Sequence, residues 1–236
     1  SLLRRAFRYQ TELRIEEIDP PVSPQAGGEI AIVRGTGFSS STRILFGGVE
    51  TTARLVDGGL EVTIPRGSAV GAVTVEARDG DDVATFPFAY VDPNDGALAL
   101  FAVAPDWAPV GGGAEIAVLG SGFDPDTLVV YFGETPSTDV RWESANVARA
   151  VVPPGAEGAV DVRVRTAEVM DTLPSAFRYV RTMAIHGVEP ASGPTAGGTP
   201  IAITGAGFPE GPVVYVGALE ATGVVRIDEG RIEALT

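Results

Sequence analysis

The chain has no cysteine, no lysine and one histidine, and each shortage removes a class of chemistry. Without cysteine there is neither a disulfide framework nor a thiolate metal site. With His186 as the sole imidazole, Ser-His-Asp or Cys-His catalysis has one place at most to be built. Neither a Gly-x-Ser-x-Gly elbow nor a His-Glu-x-x-His helix is present. No apolar run approaches the roughly 18 residues of a membrane span, and the N-terminus lacks the apolar centre of a signal peptide. No stretch has the apolar spacing of a helix. Aromatic residues are scarce, with two tryptophans among them. All 17 basic residues are arginine, a bias that fits a high-GC bacterial genome.

Positive charge is also in short supply. The formal net charge of -14 would repel nucleic-acid phosphates over most of the surface, so a nucleic-acid partner is not expected. The local exception is the N-terminal tip, where Arg4, Arg5, Arg8 and Arg14 outnumber Glu12.

What the chain does have is glycine, proline and repetition. With 30 Gly and 18 Pro, turns dominate. Gly27-Gly28-Glu29-Ile30-Ala31-Ile32-Val33-Arg34-Gly35-Thr36-Gly37-Phe38 returns as Gly112 through Phe123 and again as Gly197 through Phe208. Phe38, Phe123 and Phe208 are 85 residues apart in each step. A period of this size marks structural units. In each copy the paired glycines suit a tight turn, and an alternating strand follows, with Ile30/Ile32, Ile116/Val118 and Ile201/Ile203 assigned to the core face. The closing Gly-x-Gly-Phe bends the chain and returns an aromatic ring to the core, as suits a strand leaving one sheet for another.

Four segments follow from this period: residues 1–14 as the last strand of a preceding repeat, 15–91 and 92–180 as complete repeats, and 181–236 as a repeat lacking its last strands. Ala6-Phe7-Arg8-Tyr9 is identical to Ala176-Phe177-Arg178-Tyr179, and Phe88-Ala89-Tyr90 is a related closing strand. The expectation is therefore an excerpt from a longer tandem array. Short strand patterns, such as Leu60 to Ile64, Ala72 to Ala77 and Phe86 to Tyr90, separated by Asp-Gly and Pro-Gly turns, predict all-β sandwiches.

Pro190-Ala191-Ser192-Gly193-Pro194-Thr195-Ala196-Gly197-Gly198-Thr199, followed by Ile201 through Phe208, resembles the opening of an IPT/TIG domain, the immunoglobulin-like fold of plexins and some transcription factors. Phe46-Gly47, Phe132-Gly133 and Pro154-Gly155 are similar to that family's middle. The resemblance covers the whole chain, and because its motif is made of turn and core residues it speaks for fold rather than activity. It implies tandem spacers or adhesive modules in secreted and surface proteins, or accessory regions of polysaccharide-acting enzymes. The basic DNA-contacting loops of the transcription factors have no match in Ser39-Ser40-Ser41, Asp124-Pro125-Asp126 or Pro209-Glu210-Gly211.

Candidate sites are sparse. His186 falls in the opening strand of its repeat, at the position of Glu16 and Phe101. Gly-x-Gly-x-x-Gly fails in all copies, since Ser40, Pro125 and Glu210 occupy the last glycine position. Asp92, Asn94 and Asp95 offer oxygen donors to Ca²⁺ in a linker, against the plain reading of a turn; no other cofactor is expected. Trp107 could stack on a glycan or protein partner or pack on the neighbouring repeat. Asp124 and Asp126 lie in the tip where the copies diverge, so a binding specificity is expected there. The reading is a non-catalytic spacer and adhesion module of a bacterial secreted or cell-surface protein. The alternative is an accessory region, binding carbohydrate or a partner, of an extracellular polysaccharide-acting enzyme. Head-to-tail self-association through residues 1–12 is a further expectation, because their Phe-Arg-Tyr strand matches what the last repeat lacks.

Overall fold

The computed structural model describes residues 12–167 and 169–236, all of them strands and connections. The first repeat runs β1 (Arg14–Asp19), β2 (Val22–Pro24), β3 (Ile30–Thr36), β4 (Arg43–Phe46), β5 (Val49–Thr51), β6 (Ala53–Val56), β7 (Gly59–Thr63), β8 (Gly71–Asp79) and β9 (Asp82–Val91). These form two sheets, ordered β1-β3-β7-β6 and β2-β9-β8-β4-β5. The second repeat reproduces them with β10 (Ala99–Ala104), β11 (Trp107–Pro109), β12 (Glu115–Ser121), β13 (Val129–Phe132), β14 (Thr135–Pro136), β15 (Val140–Ser144), β16 (Val147–Val151), β17 (Gly158–Thr166) and β18 (Val169–Val180). Its sheets are β10-β12-β16-β15 and β11-β18-β17-β13-β14. These are immunoglobulin-like β-sandwiches in tandem.

The third repeat forms a separate compact unit, Val180–Thr236. It comprises β19 (Ala184–Glu189), β20 (Pro200–Ala206), β21 (Tyr215–Val216), β22 (Leu219–Glu220), β23 (Thr222–Asp228) and β24 (Arg231–Leu235). One sheet is complete, β19-β20-β24-β23, and the second consists of the β21-β22 hairpin. Among the described residues, no strands correspond to β8-β9 or β17-β18.

The signature builds the crossover between the sheets. Gly37, Gly122 and Gly207 take φ of 75°, 67° and 67°, a region that costs other residues about 1–2 kcal/mol. After this turn the chain leaves β3 or β12 in one sheet and enters β4 or β13 in the other. The first glycine serves a different purpose. A Cβ at Gly120 would overlap the Ala99 carbonyl and lie 2.6 Å from the Phe123 ring, so absence of a side chain there lets the aromatic fold back over its own strand. Phe123 and Phe208 are buried, while Phe38 packs on the first core from a half-buried position.

The core faces need one correction. Ile116/Val118 and Ile201/Ile203 point inward as expected, but in the first repeat the inward pair is Ala31/Val33, and Ile30 is 64% exposed. The step from Phe38 to Phe123 already aligns Ala31 with Ile116. Because isoleucines occupy both ends of Ile30-Ala31-Ile32, alternation alone shows two faces without saying which is buried.

Each full sandwich is then closed by an aromatic column. Phe46 meets Phe88 edge-on at 5.1 Å and Phe88 meets Tyr90 at 5.5 Å; Phe132, Phe177 and Tyr179 repeat this at 4.9 and 5.2 Å. Such edge-to-face pairs add about 0.5–1.5 kcal/mol each beyond area burial.

Candidate functional site

The residues singled out from sequence do not converge on one place. His186 is the exposed bulge residue of β19, where the register with β20 shifts between Ile185 and Gly187. Glu16 and Phe101 occupy the same bulge in β1 and β10. The shared feature is therefore a β-bulge, which interrupts the register for one residue before pairing resumes, and the imidazole happens to be placed on it.

Asp92, Asn94 and Asp95 form a capped turn. An Asp92 carboxylate oxygen accepts from the Asn94 backbone at 2.9 Å and its amide at 3.3 Å, and Asp95 accepts from the Ala97 backbone at 3.0 Å. The Asp95 N–H also donates to the Asp92 carbonyl. Among the described residues no group of three or more acidic or histidine side chains gathers to hold a metal.

The tips after the signature differ in construction as well as in sequence. In the first repeat, Ser39, Ser41 and Thr42 all donate hydroxyls to Asp79 at the end of β8, and these bonds hold its carboxyl below the usual range. In the second, Asp124 caps its own loop, accepting from Asp126 N–H and from both Thr127 donors at 3.0 Å. Asp126 remains exposed. In the third, Glu210 pairs with Arg226 at 3.4 Å. The two tryptophans are both engaged. Trp142 donates its indole N–H to the Phe123 carbonyl, and the half-buried Trp107 ring is covered by the Arg14 guanidinium at 5.1 Å.

Trp107 lies where two repeats meet. A cleft of about 470 Å³ there is lined by Arg14, Ile15, Phe86 and Asp106 as well as Trp107. Beside it, Ala102, Ala104, Ala117, Leu119 and Val147 of the second repeat are buried in one cluster with Leu13, Ile15 and Phe86 of the first. These five residues were missed in the sequence, although a signal existed. β12 is apolar on both faces, through Ile116-Ala117-Val118-Leu119, whereas Arg34 and Thr204 stand at the Leu119 position in the sister copies.

The third repeat carries an apolar groove of about 510 Å³ lined by Ile201, Ile203, Phe208, Val214 and Ile232 on its floor and by exposed Met183 and Tyr215 at its mouth. The Phe7-Arg8-Tyr9 strand proposed to associate with such a repeat lies outside the described residues.

The IPT/TIG domain model matches residues 13–90, 101–179 and 183–236. The chain belongs to the IPT/TIG family. Among curated relatives, mouse fibrocystin-L is 31% identical over 131 residues, covering 51% of this chain and 3% of that protein. Dog fibrocystin is 22% identical over 224 residues, covering 90% of this chain and 5% of that protein. The IPT/TIG repeats here thus span a small fraction of either relative. Among solved structures, the full extracellular region of plexin A4 aligns with 99% of the chain and 22% of its own, at 21% identity and TM-score 0.36. SGBP-B of a Bacteroides ovatus mixed-linkage glucan utilization locus, in complex with a heptasaccharide, covers 74% of this chain and 50% of its own, at 16% identity and TM-score 0.29. No described helix is long and apolar enough to cross a membrane.

Proposed function

We propose that this chain is a non-catalytic spacer and interaction module of a secreted or cell-surface protein, the all-arginine composition fitting a bacterial source. The observation that carries the reading is the burial of Ala102, Ala104, Ala117, Leu119 and Val147 against the first repeat's core: side chains that could have lined a site instead join two sandwiches. A spacer works by geometry, since closely packed repeats resist bending at their junction and length follows repeat number.

The absence of native cysteine makes the test clean. Dyes placed by Asp81→Cys and Thr138→Cys, both exposed loop positions, should report one narrow distance distribution that salt does not broaden. A broad distribution overturns the spacer reading. The alternative, an accessory region of a polysaccharide-acting enzyme, predicts glycan binding that Trp107→Ala abolishes while the dye distance stays unchanged.

A second reading concerns self-association. Phe177 and Tyr179 close the second sandwich as buried residues, and Ala6-Phe7-Arg8-Tyr9 repeats their tetrapeptide. The 510 Å³ groove of the third repeat fits such a strand from a second copy, by strand addition. Gel filtration with and without residues 1–12 decides it: a mass that is concentration-independent in both forms excludes this association.

A further inference from the structure

The five joining residues differ from their counterparts in a directed way. By strand register, Val118 pairs with Ala148 and Leu119 with Val147, as Val33 pairs with Leu60 and Ile203 with Ile232. At the positions of Ala102, Ala104, Ala117, Leu119 and Val147, the first repeat therefore carries Glu17, Asp19, Ile32, Arg34 and Gly59. The third carries Gly187, Glu189, Ala202, Thr204 and Arg231. In the first repeat these positions make a surface ion-pair network, Arg34 reaching Glu17 at 3.2 Å and Asp19 at 3.8 Å. In the third, Glu189, Thr204 and Arg231 are exposed.

None of these residues is needed by the sandwich itself. Successive strand residues face opposite ways, and Ile116 and Val118 already fill the second repeat's own core. Ala117 and Leu119 leave through the other face. There they are 2% and 0% exposed, because β9 packs across β10 and β12. Three of the five residues are alanine, which brings the backbone of one sheet close to its neighbour, and Leu119 supplies the bulk.

We propose that this outer face is a docking surface specific to the second repeat, and that it makes repeats one and two a single cooperative folding unit. The shared signature specifies the sandwich; the outward positions of the β10-β12-β16 sheet specify whether a sandwich is fused to the preceding one. Face composition, rather than linker length, then marks stiff junctions in an array of such repeats.

Hydrogen exchange in graded denaturant, followed by mass spectrometry on the full chain, separates the repeats by peptide. In the native sequence the slowest amides of β3 and β12 should share one denaturant midpoint. Leu119→Arg, and the pair Ala102→Glu with Leu119→Arg, should split this into two, while Thr204→Arg leaves it single. The double variant copies the Glu17–Arg34 pairing, which a folded sister repeat already tolerates. Separate midpoints in the native chain, or one unchanged midpoint in both variants, would overturn the proposal. So would outright loss of the second repeat's protection in the double variant, since the face would then belong to that repeat's own core.

Discussion

The indole N–H of Trp142 donates to the carbonyl oxygen of Phe123 at 3.0 Å, tying β15 to the end of the signature. The third repeat solves the same problem with a different residue: Arg226, paired with Ile232 as Trp142 is with Ala148, donates its Nε–H to the Phe208 carbonyl at 2.9 Å. Leu55 stands there in the first repeat. What the second and third repeats share is a side-chain donor reaching the backbone carbonyl of the aromatic residue that ends the signature. Trp142→Phe should lower stability by about 1–2 kcal/mol, and Trp142→Arg should recover most of it. Urea midpoints of the three proteins check this; equal losses for Phe and Arg would show that ring packing, not the donor, matters.

Tyr90 and Tyr179 donate their hydroxyls to the Pro65 and Pro153 carbonyls at 2.7 and 2.8 Å, pinning the closing strand to the preceding loop. Tyr179→Phe should cost about 1 kcal/mol in a urea titration. Burial raises both phenols above their ordinary value of 10.0. The folded protein then keeps protons that the unfolded chain releases, so the contribution is complete below pH 10.0 and lost as pH rises through the folded values. Tyr90→Phe with Tyr179→Phe should flatten the alkaline limb of a stability profile; an unchanged limb refutes the assignment.

At the acid end the sign reverses. Ser39, Thr42 and Ser41, in that order of effect, hold Asp79 below its ordinary 3.8. Its contribution is present above 3.8 and is lost as pH falls through the lower folded value. Asp79→Asn should blunt the acid-limb decline in a urea-midpoint profile and loosen the Ser39–Thr42 tip, seen as faster amide exchange at Ser41 and Thr42. A tip that exchanges at the native rate would refute that role.

Legibility from sequence followed the physics of each feature. The period, the turns and the closing aromatics could be read because glycine, proline and Phe-x-Tyr requirements are local. The inward face of β3 was misread because Ile30 and Ile32 are as apolar as Ala31 and Val33, and only tertiary packing chooses between them. The joint was missed for a related reason. Leu119 is one more apolar residue in a strand expected to be apolar, and its meaning emerges only against Arg34 and Thr204. Trp107 admitted two partners in the sequence, and the structure places Arg14 over its ring.

Glycines in the signature separate two kinds of constraint that look alike in sequence. Gly113 has φ of 83° with open space where a Cβ would stand, whereas Gly120 lacks positive φ but would drive a Cβ into the Ala99 carbonyl and the Phe123 ring. The first is a conformational requirement, the second a spatial one, and backbone cannot yield as a flexible side chain can. Gly113→Ala should therefore cost about 1 kcal/mol. Gly120→Ala should cost about 3 kcal/mol or more, because relief would require β10 and β12 to separate or the aromatic ring to leave the core. Urea midpoints compare the two, with loss of protection at β12 expected only for Gly120→Ala. Equal, small losses would show that the strands can part without penalty, and would refute the account of why Gly120 precedes Phe123.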